Sequence, residues 1–204
     1  MLARRAFNIA RGLVQLYGTA TLKRRLWDWE FRRGHWRCLD DTPDDPAYPY
    51  LTQYANHGRI LDLGCGPGSA GRHLDPALYQ TYVGVDVSNV AIEQARRTNN
   101  RSQNTYVQAD FFEYRPDNPC DVILLGDSLY YIPLRETLGM LRKYHEYLTS
   151  SGVFIVKMHT TPAFHPFFQM IRNHFRIVAQ HVHDPVTIVI FRMTVLAAGC
   201  GAVD

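Results

Sequence analysis

From residue 58 onward, short apolar runs alternate with helical stretches along the chain. The apolar runs, each bounded by turn-forming residues, cover residues 59–63, 81–87, 104–109, 121–126, 152–159, 176–181 and 187–195, and helical stretches cover 69–74, 89–98, 133–148 and 162–175. This alternation predicts a doubly wound, Rossmann-like α/β fold with a mostly parallel seven-stranded sheet. The last two runs are joined by HVHDPVT, which is too short for a helix, so they should form an antiparallel C-terminal hairpin.

The pattern before residue 58 is different. Residues 2–16 and 20–33 carry apolar side chains at helical spacing among charged ones, in the first stretch Leu2, Ala6, Ile9, Leu13 and Leu16, in the second Leu22, Leu26, Trp27, Trp29 and Phe31. The following DDTPDDPAYPY holds three prolines and four acids in eleven residues, which predicts a linker or an irregular covering loop. We therefore predict an N-terminal helical segment over 1–54 and a core over 55–204.

Composition and cysteine spacing narrow the class of protein. At 204 residues and 46% hydrophobic content, the chain can bury one substantial core. No apolar run approaches the ~20 residues of a membrane span. Cys38, Cys65, Cys120 and Cys200 form no CxxC pair, so neither a disulfide framework nor a zinc site is expected. These features predict a protein of a reducing, cytoplasmic compartment with no metal site.

The charge is unevenly distributed. Residues 1–37 hold nine Lys and Arg against two acids, a net +7, and the remaining 13 against 17 give −4. A basic segment on an acidic body could attract an anionic substrate, a nucleic acid or a membrane surface. Alternatively, these arginines form the solvated face of ordinary amphipathic helices.

A glycine-rich turn, in RILDLGCGPGSAGRHL, follows the first predicted strand. From Gly66 it matches the dinucleotide pattern GxGxxG, with Asp86 twenty residues later, but such a match alone is weak. Asp62 would place a negative charge near a pyrophosphate, and Pro67 removes one N–H that a phosphate could use. S-adenosylmethionine has no phosphate and carries an ammonium and a sulfonium, so the turn suits it better.

The motif ILDLGCGPG resembles that of class I S-adenosylmethionine-dependent methyltransferases, and the later YVGVDVS, VQADFFEY and CDVILLGDSLYYI follow in the family's order over about residues 55–195. The resemblance implies S-adenosylmethionine as cofactor. It implies that Asp86 holds the ribose hydroxyls and that Asp110 accepts the adenine amino group beside Phe111. The implied cofactor contacts are Asp62, Gly64, Cys65, Gly66, Gly68, Asp86, Val87, Asp110, Phe111 and Gly126.

The residues after the fourth and fifth strands are candidates for the chemistry. Asp127 could meet the cofactor's ammonium or an acceptor proton, and Tyr130 and Tyr131 could line the pocket; a helix cap and packing tyrosines are the alternatives. His159 is the strongest candidate for a base, and His165 is a weaker one. Methyl transfer needs alignment first, and a base only for an acceptor that is protonated at the working pH.

The N-terminal stretch WDWEFRRGHWRCLDD resembles segments that precede the core in small-molecule methyltransferases and cover their acceptor pocket. Its large aromatic side chains must cover something, so we predict a lid; packing on the core alone is the alternative. Methyltransferases acting on nucleic-acid amino groups usually carry an Asn/Asp-Pro-Pro-aromatic motif after the fourth strand, where this chain reads GDSLYY.

We therefore expect methyl transfer to an oxygen, nitrogen or carbon atom of a small molecule, with no nucleic-acid partner. The basic segment slightly favours an anionic or polyol acceptor. RNA or protein methylation through the basic N-terminus, and cofactor binding without methyl transfer, are the alternatives.

Overall fold

A computed structural model describes residues 2–193, in which seven strands form one sheet. They are β1 (Arg59–Leu63), β2 (Thr81–Asp86), β3 (Asn104–Gln108), β4 (Cys120–Gly126), β5 (Leu148–His159), β6 (Phe175–His183) and β7 (Val186–Met193). The order is β3-β2-β1-β4-β5-β7-β6, and the pairs among β1 to β5 are all parallel. β7 runs antiparallel to both of its neighbours. The predicted fold class, including the antiparallel hairpin, is confirmed.

The central strands are buried on both faces, as crossover helices require. Leu61 and Leu63 of β1 belong to one apolar cluster and Ile60 to the other, because successive side chains point to opposite faces. Strand boundaries agree with the prediction to within a few residues. β5 starts four residues before the predicted 152, and the predicted residues 194 and 195 lie outside the described part, as does Cys200.

Seven helices accompany the sheet in the described residues: α1 (Leu2–Tyr17), α2 (Ala20–Arg32), α3 (Tyr48–Ala55), α4 (Ser69–His73), α5 (Asn89–Thr98), α6 (Leu134–His145) and α7 (His165–His174). Short 3₁₀ turns occur at Arg37–Leu39, Pro76–Leu78, Leu129–Tyr131 and Pro162–Phe164. α1 and α2 match the two helices predicted before residue 34. The helix predicted over 162–175 divides into a 3₁₀ turn and α7.

The prediction of a linker or an irregular covering loop over residues 40–50 was wrong in its last part, where α3 begins. Pro49 lies in the first turn of α3, where a missing N–H costs nothing because that group has no partner inside the helix. Leu51 and Ala55 of α3 are buried against the sheet. The boundary predicted between residues 54 and 55 therefore falls inside a helix of the core. The division into a segment and a core remains a prediction, with α3 on the core's side.

Candidate active site

The carboxyl ends of β1 to β5 meet at one edge of the sheet. Asp86 ends β2, Asp110 follows β3, Asp127 follows β4 and His159 ends β5, while the glycine turn follows β1. β1 lies between β2 and β4, so the strand order reverses there, and such a reversal opens a crevice at the carboxyl edge. Residues far apart in the sequence therefore surround one crevice.

This crevice is a partly open cavity of about 320 Å³, lined by residues of the core and of the N-terminal segment. All the predicted site residues except Gly68 and the weaker candidate His165 line it: Asp62, Gly64, Cys65, Gly66, Asp86, Val87, Asp110, Phe111, Gly126, Asp127, Tyr130, Tyr131 and His159. The N-terminal segment contributes Gln15, Lys23, Trp27, Phe31, Trp36, Cys38 and Leu39. The structure thus brings the predicted residues together, and their contacts with a ligand remain predictions.

The glycine turn is held by backbone hydrogen bonds and admits no side chain at its first glycine. The amides of Gly64 and Cys65 donate to the carbonyl of Val85 at 2.7 and 3.1 Å. Gly64 has φ +85°, and a Cβ there would lie 2.5 Å from the Cβ of Ser128. A side chain at Gly64 would therefore be strained and would push the loop after β4 outward.

Gly68 and Cys65 contribute to the turn in different ways. Gly68 starts α4 with φ +79°, and a Cβ there would lie 2.8 Å from the Cβ of Ala95, so Gly68 allows α4 and α5 to approach each other. It does not line the cavity. Cys65 does, but its thiol packs against Gly84, and burial raises its pKa well above the ordinary value. Only the backbone of Cys65 is therefore suited to a ligand.

Asp62 is a buried carboxyl group at the cavity wall. The hydroxyl of Tyr82 donates a hydrogen bond to Asp62 Oδ2 at 2.5 Å, and Asp62 is almost fully buried. Burial raises the pKa of Asp62 to about 7, despite the Tyr82 hydrogen bond and the positive charge of Lys157, which act in the opposite direction. A bound cation would stabilise the charged form. The site therefore favours a positively charged group beside Asp62.

Asp86 is held by two backbone amides at the end of β2. Ser88 N–H donates to Oδ1 at 2.8 Å, and Gly66 N–H donates to Oδ2 at 3.0 Å. Burial raises the pKa of Asp86 to about 6, against the effect of these two amides. Each carboxylate oxygen can accept a further hydrogen bond, so Asp86 can receive two neighbouring hydroxyl donors.

Asp110 and Phe111 belong to a tightly anchored loop after β3. Asp110 Oδ1 accepts a hydrogen bond from Phe112 N–H at 2.9 Å, an Asx-type turn. The carbonyl of Phe111 accepts hydrogen bonds from the hydroxyl of Tyr144 at 2.6 Å and the Lys143 ammonium at 3.2 Å. The loop places Phe111 at the cavity wall with its main chain fixed by α6.

Lys157 of β5 forms a buried ion-pair network that the sequence prediction missed. Its ammonium donates to Asp45, in the covering loop, and lies 3.0 Å from Asp127 Oδ2. Burial opposes the charge, but the two carboxylates outweigh it and raise the pKa of Lys157. A single lysine inside the apolar run VFIVKMH was the available signal, because a charge in a buried strand needs a partner.

Asp127 has the strained geometry often found at functional positions. Its φ is +54°, which is uncommon for a residue other than glycine. Its Oδ1 is buried and has no hydrogen-bond partner among the described residues. A buried carboxylate oxygen in this state is costly, and a ligand that donates a hydrogen bond would relieve the cost.

The loop after β4 joins the core to the aromatic side chains of α2. The ring of Tyr131 meets Trp27 edge-on, with centroids 4.8 Å apart, and burial raises the pKa of Tyr131 to about 12. The ring of Tyr130 stacks on that of Phe164, with centroids 4.4 Å apart, so Tyr130 both packs against the core and lines the cavity.

The two candidate bases differ in position. His159, at the end of β5, lines the same cavity, whereas His165, at the start of α7, does not.

The N-terminal segment is built around Glu30, whose side chain is fully buried. Arg11 donates to Glu30 through two nitrogens at 2.5 and 3.0 Å, and Trp36 Nε1 donates at 2.7 Å. The side chain of Gln15 approaches at 3.5 Å. These bonds tie α1, α2 and the following loop into one unit. Because Gln15 and Trp36 also line the cavity, Glu30 positions part of its wall.

Asp28 docks this segment on the core. Its Oδ1 accepts hydrogen bonds from the Ser88 hydroxyl at 2.8 Å and from Val90 N–H at 3.2 Å, at the start of α5. A carboxylate at a helix N-terminus is favourable because amide groups there lack partners inside the helix. Ser88 follows Asp86 closely, so the segment is attached beside the predicted ribose site.

The fold is similar to that of solved methyltransferase structures with bound S-adenosylhomocysteine. The structure of 1,6-didemethyltoxoflavin-N1-methyltransferase of Burkholderia thailandensis, with bound 1,6-didemethyltoxoflavin and S-adenosylhomocysteine, superposes with a TM-score of 0.68 at 17% identity, covering 84% of this chain and 87% of that one. At this identity the similarity concerns the fold.

In the sequence, residues 60–152 match the family described as methyltransferase domain. The family and cofactor class indicated by the glycine turn are thereby confirmed. Trans-aconitate 2-methyltransferase of Klebsiella pneumoniae is 35% identical over 96 residues, 46% of this chain and 37% of that protein. Arginine-hydroxylase NDUFAF5 of Mus musculus is 22% identical over 165 residues, 74% of this chain and 47% of that protein.

The chain spans less than half of the length of each of these two curated relatives. Among residues 2–193, no helix has both the length and the apolar character to cross a bilayer.

Proposed function

We propose that this protein transfers a methyl group from S-adenosylmethionine to a small molecule held between the core and the N-terminal segment. The observation that carries the proposal is the composition of the cavity wall. Strand-end acids and the glycine turn form one side, and aromatic side chains of residues 27–36 form the other. This is the arrangement expected of a cofactor site adjoining an acceptor site.

The residues of the core fit the cofactor group by group. S-adenosylmethionine, when bound, supplies an electrophilic methyl group on a sulfonium. Asp62 would face the ammonium, because its buried carboxylate needs a positive partner, and Asp86 would accept hydrogen bonds from the two ribose hydroxyls. Asp110 and Phe111 would hold the adenine, with Val87 and Gly126 completing the wall.

The acceptor would lie against Trp27, Phe31, Trp36 and Tyr131. A cavity of about 320 Å³ is at the lower end of the roughly 300–1,000 Å³ usual for ligand sites, which favours a compact acceptor. Aromatic walls exclude water and hold a flat molecule in a fixed direction, which an in-line displacement requires. Asp127, whose Oδ1 lacks a partner among the described residues, and His159 both line the cavity and are the proposed proton acceptors.

The charge of the wall is nearly balanced on the side proposed for the acceptor. Asp62, Asp86 and Asp110 are assigned to the cofactor, which leaves Asp45 and Asp127 against Lys23 and Lys157. Lys157 is paired with both of these carboxylates. The slight preference for an anionic or polyol acceptor therefore stays a prediction.

We also propose a cytoplasmic location, from the cysteine spacing, and no nucleic-acid substrate, from the shape of the cavity. A concave cavity of about 320 Å³ favours a small molecule over RNA, whose methylated base would have to enter it unstacked.

Calorimetry and product analysis together test the function. We expect S-adenosylmethionine and S-adenosylhomocysteine to bind more tightly than a nicotinamide dinucleotide, and mass spectrometry to detect methylated product from a panel of amines, phenols and carboxylates. Tighter binding of the dinucleotide would refute the cofactor assignment. Tight cofactor binding without product from any acceptor would favour a binding protein that catalyses no transfer.

A further inference from the structure

Asp110 is held differently from the other two acids assigned to the cofactor. Asp62 and Asp86 lie on strands, whereas β3 ends at Gln108 and Asp110 belongs to the loop that follows it. The sheet register that fixes the first two acids therefore ends before Asp110. The position of its carboxylate must depend on contacts between this loop and other parts of the molecule.

Residues 110–114 form a single helix-like turn that begins at Asp110. The carbonyl of Asp110 accepts hydrogen bonds from the amides of Glu113 and Tyr114, both at 2.9 Å. Its carboxylate Oδ1 accepts one from the amide of Phe112. As at the end of a helix, the carbonyls at the far end of this turn have no partners within it and favour a positive charge.

Lys143 of α6 supplies that charge. Its ammonium donates hydrogen bonds to the carbonyls of Phe111, Phe112 and Tyr114 at 3.2, 2.8 and 3.0 Å. All three donors of the ammonium are thereby used on the main chain of one loop. The neighbouring Tyr144, which is buried, donates its hydroxyl to the carbonyl of Phe111 at 2.6 Å. Neither Lys143 nor Tyr144 lines the cavity, so both act on it through the loop.

The charges of Lys143 and Asp110 also interact. Burial lowers the pKa of Lys143 to about 8, the positive charge of Arg115 acts in the same direction, and the negative charge of Asp110 acts against both. Lys143 is therefore mostly charged at neutral pH and attracts the carboxylate across the turn. Removing the ammonium would release both the main chain of the loop and this attraction.

We propose that Lys143 and Tyr144 are positioning residues that hold Asp110 where it selects adenine over a purine without the amino group. This inference rests on the proposed function, in which Asp110 accepts a hydrogen bond from the adenine amino group. An acceptor gives such selectivity only when it is fixed, because a mobile carboxylate can turn to water when the ligand offers no donor. A purely structural role would stabilise the loop without changing which base is bound.

Calorimetry at neutral pH with two ligands tests the proposal. The ligands are S-adenosylhomocysteine and S-inosylhomocysteine, in which an oxo group replaces the adenine amino group. We expect the wild type to bind S-adenosylhomocysteine at least about tenfold more tightly. In Lys143→Met, which keeps the apolar stem and removes the ammonium, this preference should fall below about threefold. Lys143→Arg, which keeps a cation with several donors, should retain most of the preference.

Three further variants separate base selection from stability. Arg142→Met, at the exposed position beside Lys143, should leave both affinities unchanged. Asp86→Ala should weaken both ligands by the same factor, because both carry the ribose. Tyr144→Phe removes only the hydroxyl bonded to Phe111 and should lower the preference severalfold. It replaces Lys143→Met as the decisive variant if circular dichroism shows that Lys143→Met does not fold.

The outcomes distinguish this inference from the proposed function. A wild type that binds neither ligand would contradict the proposed cofactor site, and the inference with it. A wild type that binds both ligands equally would show that Asp110 does not select the amino group. If the folded Lys143→Met protein, or Tyr144→Phe in its place, keeps the full preference, the inference alone is overturned, even where both affinities fall together.

Discussion

The two walls of the cavity are positioned in different ways. On the core side, Asp62 and Asp86 lie on strands whose register is fixed by main-chain hydrogen bonds, and backbone amides hold Asp86 directly. On the N-terminal side, Trp36 and Gln15 are positioned by the side chain of Glu30. One wall is thus a property of the backbone, and the other depends on a few side chains.

This difference separates the two proposed tasks. The groups proposed to hold the cofactor are fixed by the backbone, so few side-chain substitutions can displace them. The groups proposed to hold the acceptor depend on Glu30, so one substitution can displace them. Changes in residues 1–37 should therefore alter acceptor binding while cofactor binding persists, and changes at the strand ends should do the reverse.

The largest effect is expected at Lys157, which links the core to the covering loop. Lys157→Met leaves the carboxylates of Asp45 and Asp127 without their cation in a mostly buried site. Losing one partner of a buried ion pair typically costs about 3–5 kcal/mol, so the free energy of unfolding should fall by that order. Denaturant unfolding measures it. Lys157→Arg, which keeps the charge, should lose less, and equal stability of Lys157→Met and wild type would contradict the network.

A smaller effect, confined to the segment, is expected for Glu30→Leu. The substitution leaves the Arg11 guanidinium without its partner. Because about a third of the Arg11 side chain is exposed, the free energy of unfolding should fall by about 2–3 kcal/mol, less than for a fully buried pair. Limited proteolysis should cut residues 1–37 faster, and transfer should fall while cofactor affinity changes less than threefold. Glu30→Gln, which keeps one acceptor oxygen that Trp36 Nε1 and one Arg11 nitrogen can share, should be milder. A matching fall in cofactor affinity would show that the two walls are not separate.

The strands and strand-end acids of the core could be predicted from the sequence because the patterns that indicate them are local and periodic. The run at residues 59–63 ends at a glycine turn, and the acids that follow β2 and β3 lie at strand ends, where parallel topology brings them to one edge. Of the turn residues, only Gly68 lies off the cavity, since a helix-packing glycine and a ligand-facing glycine look alike in a sequence.

The arrangement of the N-terminal segment was harder to predict from the sequence, because it depends on contacts between residues that are far apart in the chain. The spacing in α1 shows an apolar stripe, but whether that stripe faces inward depends on the pairing of Arg11 with Glu30, nineteen positions away. The pairing of Lys157 with Asp45 spans 112 positions. No periodicity in a sequence encodes such pairs, although a buried charge among apolar residues indicates that some partner exists.

On the core side, Asp86→Ala should weaken cofactor binding by at least about tenfold. The carboxylate would lose charge-assisted hydrogen bonds to the ribose of roughly 1.5–3 kcal/mol each. Calorimetry measures the dissociation constant, and protease sensitivity of residues 1–37 in the free protein should not change. Asp117→Ala, at an exposed position outside the cavity, is the matched control. Unaltered affinity in a folded Asp86→Ala protein would refute the assignment.

The smallest expected effect is a pH dependence of stability and of cofactor affinity that arises from the acids of the core wall. The pKa of Asp62 is raised from 3.8 to about 7 and that of Asp86 from 3.8 to about 6, chiefly by burial. Between the unfolded and folded values the folded protein binds more protons than the unfolded chain, so the free energy of unfolding of the ligand-free protein should decrease as the pH rises through this window. Binding of a cation beside Asp62 requires the ionised carboxylate, so affinity for S-adenosylmethionine should change in the opposite direction. We expect it to increase severalfold as the pH rises through about 6 to about 7.

Calorimetric titrations across this range, with Asp62→Asn beside the wild type, examine the dependence. Asn cannot ionise, so the variant should bind S-adenosylmethionine more weakly at high pH, with an affinity that varies less with pH. Its ligand-free form should lose less stability as the pH rises, because a permanently neutral group removes one of the two titrations. Asp117→Asn, on the exposed surface, should behave as the wild type in both measurements. Two outcomes would refute Asp62 as the partner of the cofactor's ammonium: affinity that falls with rising pH, or an Asp62→Asn variant that keeps the full wild-type pH dependence. Asp127, whose Oδ1 has no hydrogen-bond partner among the described residues, would then be the next candidate for that role.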